Sequence, residues 1–184
     1  MSSSPSRLRL LGLDPGFSSI GWAVLSKEDG PPACVAAGVY RSHRDPTLAK
    51  NIDTFQRIQR MTEFLRKVTF DHGPHVIGCE SMSWTRFATA DRAVAFFWGA
   101  LGAFVRVPVV QTTPSELKLL IAGKKGASKE EVAHHACAKI TNLDQALNNI
   151  KAKTQHNHAS DAAAAALAAL DSPIGKLALA MREG

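Results

Sequence analysis

The stretch Leu10-Leu11-Gly12-Leu13-Asp14-Pro15-Gly16-Phe17-Ser18-Ser19-Ile20-Gly21-Trp22-Ala23-Val24-Leu25 decides how the chain reads. Its first apolar run predicts a buried strand, Pro15-Gly16 a turn, and the run from Ile20 a second strand folding back on the first. Asp14 breaks the pattern. A carboxylate that ends an apolar strand loses solvation and needs a partner: backbone N–H groups, a basic side chain or a metal. Asp-Pro-Gly is also ordinary turn chemistry, so the other acids of the chain must decide between turn and site.

Working outward, strands are predicted near Leu8 to Asp14, Ile20 to Leu25 and Cys34 to Tyr40, an antiparallel meander with a turn at Lys27-Glu28-Asp29-Gly30. From Leu48 to Val68 the period changes. Ile52, Phe55, Ile58, Met61, Leu65 and Val68 recur at helical spacing, and Arg57, Arg60 and Lys67 fall elsewhere on the wheel, so this helix lies on the sheet. His75 to Glu80 repeats the opening pattern, an apolar run after a Gly-Pro break that ends on a lone carboxylate. A helix over Asp91 to Val105 follows, with Phe96, Phe97, Trp98 and Phe104 as core, then a strand over Val107 to Gln111. Thr113-Pro114-Ser115-Glu116 opens a helix to Ala122, and Ser128 with Glu131 forms a capping box for another to about Ile140. The polar segment Thr141 to Asn157 has no assignable pattern. The last helix opens on His158-Ala159-Ser160-Asp161, and its alanines allow close approach to the sheet. The expected fold is α/β, a mixed sheet with helices on its faces.

At 184 residues and 45% apolar composition the chain suits one domain, residues 1–184, with 1–6 and about 172–184 as flexible tails. The net charge of +6 fits a polyanionic partner as well as many ordinary proteins. Cys34, Cys79 and Cys137 are an odd, widely spaced set, which indicates neither a disulfide framework nor a zinc finger and suits a reducing compartment. Arg7, Arg9 and Asp14 leave no signal-peptide core, and the apolar run from Ala93 to Val105 is shorter than the roughly 20 residues a membrane span needs. A soluble, cytoplasmic protein without membrane attachment is the expectation.

Asp14 and Glu80 both end predicted strands, while His158 and Asp161, three apart, share a helix face. If that helix crosses the strand ends, three carboxylates and an imidazole converge. Such a cluster repels itself unless a cation neutralises it, and its oxygen-rich donors suit Mg²⁺ or Mn²⁺. Two ions about 4 Å apart could hold both the attacking and the leaving oxygen of a phosphodiester displacement.

At these residues the chain resembles the RuvC family of Holliday junction resolvases. The resemblance rests on Leu-Gly-Leu-Asp-Pro-Gly with Gly21-Trp22, the strand ending in Glu80, the Gly123 to Lys129 loop and the closing His-Ala-Ser-Asp, in order from about Leu10 to Leu170. It implies an RNase H-like mixed five-stranded sheet flanked by helices, a homodimer, and metal-dependent cleavage of four-way DNA junctions by paired symmetric nicks. A branch-migration motor is a further partner to consider. By position, Asp14, Glu80 and Asp161 match the family's metal-binding carboxylates, and His158 matches a site that holds Asp or His. Lys118 and Lys129 match basic residues at the DNA backbone, Lys118 beside the reacting phosphate. Where the family carries an aromatic wedge after the Glu, this chain has Ser83, so Trp84, with Arg86 and Phe87, is the DNA contact expected there.

Blander readings stand beside each of these. Asp161 suits the N-terminal end of a helix through the dipole, His158 could be solvated, and Lys124 and Lys125 could be a solvated loop instead of a phosphate rim. That loop is not a Walker A sequence. His134 and His135 read as exposed helix residues. A catalytically silent branched-DNA-binding module, or a nuclease of flaps, three-way junctions and forks, are the alternatives for function. An actin-like ATPase shares the Asp-x-Gly hairpin but needs a second such half.

Overall fold

The computed structural model describes residues 7–81 and 88–183. Strands β1 (Leu8–Asp14), β2 (Ser19–Lys27), β3 (Ala33–Arg41), β4 (Val76–Glu80) and β5 (Val109–Thr112) form one sheet in the order β3-β2-β1-β4-β5. The first three strands pair antiparallel, as alternating runs joined by tight turns do, whereas β4 and β5 add parallel to β1 through helical crossovers. This is the mixed five-stranded sheet of the RNase H-like fold.

The two faces of β1 are covered by different helices. Leu8 and Leu10 pack with α6 (His156–Asp171) and with α3 (Pro114–Ala122), α4 (Lys129–Lys139) and α5 (Leu143–Asn148); Leu11 and Leu13 pack with α1 (Lys50–His72) and α2 (Ala88–Gly102). Both capping boxes form: Thr113 with Glu116 opens α3, and Ser128 with Glu131 opens α4. Phe97 is fully buried; Phe96, Trp98 and Phe104 sit at the margin of the same core. Cys34 and Cys79 are buried free thiols and Cys137 is half-buried. Among the described residues no single helix is long and apolar enough to cross a membrane.

Two expectations need correction, and one unassigned segment gains a structure. The first half of α1 turns a polar pair inward: Asp53 and Arg57 are only 3% and 9% exposed, while Ile52 and Phe55 are 47% and 61% exposed. Here the helix faces a turn and a loop whose backbone groups need hydrogen-bond partners, which aliphatic side chains cannot supply. Residues 173–183 are not a tail but helix α7 (Pro173–Glu183). Ser172 Oγ accepts the Gly175 N–H at 3.0 Å, Pro173 occupies the first turn, and Ala178 and Leu179 pack on the α6 core. The polar segment after Ile140 is anchored by backbone pairing, Cys34 N–H to the Thr141 carbonyl and Thr141 N–H to that of Pro32, and then buries Leu143 and Leu147 through α5.

Candidate active site

Strand parity places the acids. Successive side chains of a strand alternate between faces, so if Leu8 and Leu10 face α6, Gly12 and Asp14 must face it too. In β4, Val76 packs on the α6 side and Ile77 and Cys79 on the other, which sends Gly78 and Glu80 towards α6. Each strand thus presents a glycine and then, two residues on, a carboxylate.

The glycines set how close α6 can come. A β-carbon on Gly12 would lie 1.8 Å from the Ala162 carbonyl oxygen, one on Gly21 2.0 Å from that of His158, and one on Gly78 2.1 Å from that of Ala165. With hydrogens in those places and alanines above, α6 rests backbone to backbone on three strands. Its N-terminal end then lies over the ends of β1 and β4. His158 Nδ1 hydrogen-bonds Asp14 Oδ2 at 2.6 Å, and Asp161 shares a cleft of about 220 Å³ with Asp14, Glu80, Lys118 and Lys129. A larger groove of about 990 Å³ lies between β3 and α1, beside Tyr40 and Phe64, and carries none of the candidate residues.

The electrostatics are those of crowded acids. Glu80 is pushed up to about 7 by burial, then by the charges of Asp14 and Asp161, with Lys129 and Lys118 opposing. Asp161 is raised by burial and by Asp14. The chain answers with cations of its own: Lys129 Nζ lies 3.4 Å from Asp161 Oδ2, and its pKa is raised chiefly by that carboxylate. The hydrogen bond to Asp14 raises His158, against the opposing effect of burial.

Among the described residues no three His, Cys, Asp or Glu side chains already converge as a finished metal cage. Lys129 instead pairs with Asp161, and His158 hydrogen-bonds Asp14. The donor set still fits a hard divalent cation: three carboxylates and an imidazole, with Glu80 and Asp161 destabilised as anions by burial and then by neighbouring carboxylates, and relieved by added positive charge.

The remaining candidates divide. Lys118 and Lys129 line the cleft. Lys124 and Lys125 lie on the exposed α3–α4 loop, where Lys124 Nζ meets Glu131 Oε1 at 2.5 Å. Trp84, Arg86 and Phe87 lie outside the described residues. His134 and His135 are exposed, and His156 is turned away onto the Ile150 carbonyl at 2.9 Å. One neighbour is missing from the sequence-based set: Ser19 Oγ lies 3.3 Å from His158 Nε2. The antiparallel register, which pairs Asp14 with Gly21, carries the signal for it, because the chain just before Gly21 returns beside the carboxylate.

Over most of its length the chain is similar to known proteins. The family model for the crossover junction endodeoxyribonuclease RuvC matches residues 10–169. A RuvC from Prochlorococcus marinus (strain MIT 9313) is 28% identical over 144 residues, 75% of this chain and 86% of that protein. One from Rickettsia bellii (strain RML369-C) is 25% identical over 146 residues, covering 74% and 89%. The structure of T. thermophilus RuvC in complex with Holliday junction substrate superposes with a TM-score of 0.67 at 23% identity, over 87% of this chain and 91% of that one. The yeast mitochondrial Holliday junction resolvase Ydc2 gives 0.70 at 15% identity, over 98% and 83%. With the family model spanning both acid-bearing strand ends and the helix that meets them, the chain belongs to the RuvC family of crossover junction endodeoxyribonucleases.

Proposed function

We propose that this chain is a divalent-metal-dependent endonuclease that resolves four-way DNA junctions by paired symmetric nicks, leaving 5′-phosphate and 3′-hydroxyl ends. The observation that supports it most is the convergence of Asp14, Glu80 and Asp161, from two strand ends and a helix start, on one cleft edged by Lys118 and Lys129. A homodimer would set two such clefts about a two-fold axis, matching a junction whose two cut strands are related by the same symmetry.

Asp14, Glu80, Asp161 and His158 would hold two Mg²⁺ ions, with Mn²⁺ as substitute. When bound, the metal neutralises the phosphate and makes water a better nucleophile at neutral pH. Asp14, whose charge acts on both Glu80 and Asp161, would be among the ligands. His158 must present an unprotonated nitrogen, and its contact with Ser19 orients the ring. Lys129 grips a phosphate oxygen on leaving Asp161, and Lys118, on the α3 wall, positions the scissile group or its attacking water.

Nicking of a synthetic four-way junction, beside a linear duplex, a flap, a three-way junction and a fork of the same sequence, tests this in Mg²⁺, Ca²⁺ and EDTA. Paired, ligatable nicks in the four-way junction, absent from Asp14→Asn, are expected. Tight junction binding without a cut in Mg²⁺ or Mn²⁺ would refute the enzyme and leave a binding module. Equal cutting of flaps and forks would refute junction resolution as the specific activity.

A further inference from the structure

We infer that Arg57, buried in α1 with Asp53, is a positioning residue that holds the turn following Asp14, and so fixes the Asp14–His158–Ser19 contact. The inference rests on the nuclease reading for its importance and on the following geometry for its substance.

The turn Pro15–Ser18 has Asp14 at its start and Ser19 at its end, and both touch His158, at 2.6 Å and 3.3 Å. Whatever sets the turn sets the spacing that the imidazole bridges. Arg57 reaches it from inside the molecule: Nη2 donates to the Phe17 carbonyl at 3.4 Å and to Ser18 Oγ at 3.5 Å, and the guanidinium carbon lies 4.1 Å from the centre of the Phe17 ring. Phe96 packs against the same ring, with centroids 5.4 Å apart. The guanidinium also ties this turn to the β3–α1 loop, donating from Nε to Ser42 Oγ at 2.7 Å and from Nη2 to the Ser42 carbonyl at 3.4 Å. The Ser42 N–H in turn donates to the Ser18 carbonyl at 2.9 Å. Asp53 completes the clasp, with Oδ2 3.7 Å from Arg57 Nη1 and Oδ1 accepting the Asp45 N–H at 2.9 Å.

A solvated helix face explains none of this, because both side chains are buried at the point where α1 could have carried aliphatic residues. The contacts need a planar fork with several donors and a face that stacks on an aromatic ring; a lysine ammonium offers neither. Arg57 touches no candidate ligand directly and acts through Phe17 and Ser18.

The test compares Arg57→Gln, Arg57→Lys and, as a control for a general loss of stability, Met61→Ala, a fully buried residue one turn further along α1. Readouts are the melting temperature, the affinity of the DNA-free protein for Mn²⁺ by electron paramagnetic resonance, and kcat and KM on the junction. Arg57→Gln is expected to weaken Mn²⁺ binding and to lower kcat by at least about tenfold with KM within about twofold, since misplacement near the reacting atoms costs rate more than binding. Arg57→Lys should recover part of both. Met61→Ala should lower the melting temperature alone. Arg57→Gln with wild-type Mn²⁺ affinity and kcat, or Met61→Ala with the same losses as Arg57→Gln, would overturn the inference. If Arg57→Gln does not fold, Asp53→Asn/Arg57→Gln removes both buried charges and is read the same way. Failure of the wild type to nick any junction would count against the nuclease reading, while the Mn²⁺ arm would still report on Arg57.

Discussion

Substituting Gly12 by alanine tests how the site is built, because it adds one methyl group at a place where backbone rests on backbone. The new β-carbon would stand 1.8 Å from the Ala162 carbonyl oxygen and 2.9 Å from the Ala166 nitrogen, whereas real β-carbons do not come closer than 3.0 Å, so α6 and β1 must part by at least about 1.2 Å. The obstacle is main chain, so no trimming of Ala162 relieves it. Overpacking of this kind costs about 1–3 kcal/mol, which in a domain of this size lowers the melting temperature by roughly 2–12 °C. The loss of rate should be larger. Asp161 immediately precedes Ala162, and a displacement of about 1 Å at reacting groups costs about 100-fold. Single-turnover nicking of a four-way junction at saturating protein measures it, with Gly102→Ala, whose β-carbon would meet nothing within 4 Å, as the control. Gly12→Ala that nicks at the wild-type rate would refute the claim that the α6 backbone contact sets the acids' positions.

Three further outcomes follow from the charges. Glu80 is raised from 4.5 to about 7, so the fold favours its protonated form, and the metal-free protein loses stability as pH climbs between those values. His158 acts in the same direction: its raised pKa stabilises the fold below 6.5, and that contribution disappears as pH rises through the folded value. Melting temperatures should therefore fall by several degrees from pH 5 to pH 8 without metal, and Mg²⁺ should raise them at pH 8 far more than at pH 5; a Mg²⁺ effect equal at both would count against the acids as its site. His158→Ala should lower nicking at least about tenfold and His158→Asp should retain it with activity extending to lower pH, as read from rate profiles between pH 6 and 8. Lys124→Glu/Lys125→Glu should weaken junction binding and flatten the dependence of log Kd on log salt by about two, near 0.9 for each phosphate that the lysines neutralise, in salt-titrated anisotropy.

Much of this is legible in the amino-acid sequence, for identifiable reasons. Asp14 and Glu80 stand out because a charge ending an apolar strand is costly, and His158 and Asp161 because a spacing of three keeps two side chains on one helix face. Element order follows from changes of period. Arg57 is assigned to the wrong face because periodicity finds apolar stripes, and the inward face of early α1 is polar. Gly12, Gly21 and Gly78 read as ordinary strand residues, although glycine within a strand often marks the close approach of another backbone. Helix α5 is hidden in a polar segment because its burial depends on an edge contact at Thr141, a tertiary fact without local period. Ser172-Pro173 carries a helix-start signal for α7, and Ile174, Leu177 and Met181 recur after it at helical spacing, so this helix is open to the same reading as α1.

The pairing of Lys129 with Asp161 has one more consequence. A divalent ion competes with the ammonium for the carboxylate, and a phosphodiester competes with the carboxylate for the ammonium. If both bind here as proposed, each ligand removes the other's rival, and the two are expected to bind with positive coupling, equal in both directions. On the proposed function, the free protein is expected to hold its metal more weakly than it does on DNA, so that the cleft gathers its full charge as a strand arrives to be cut.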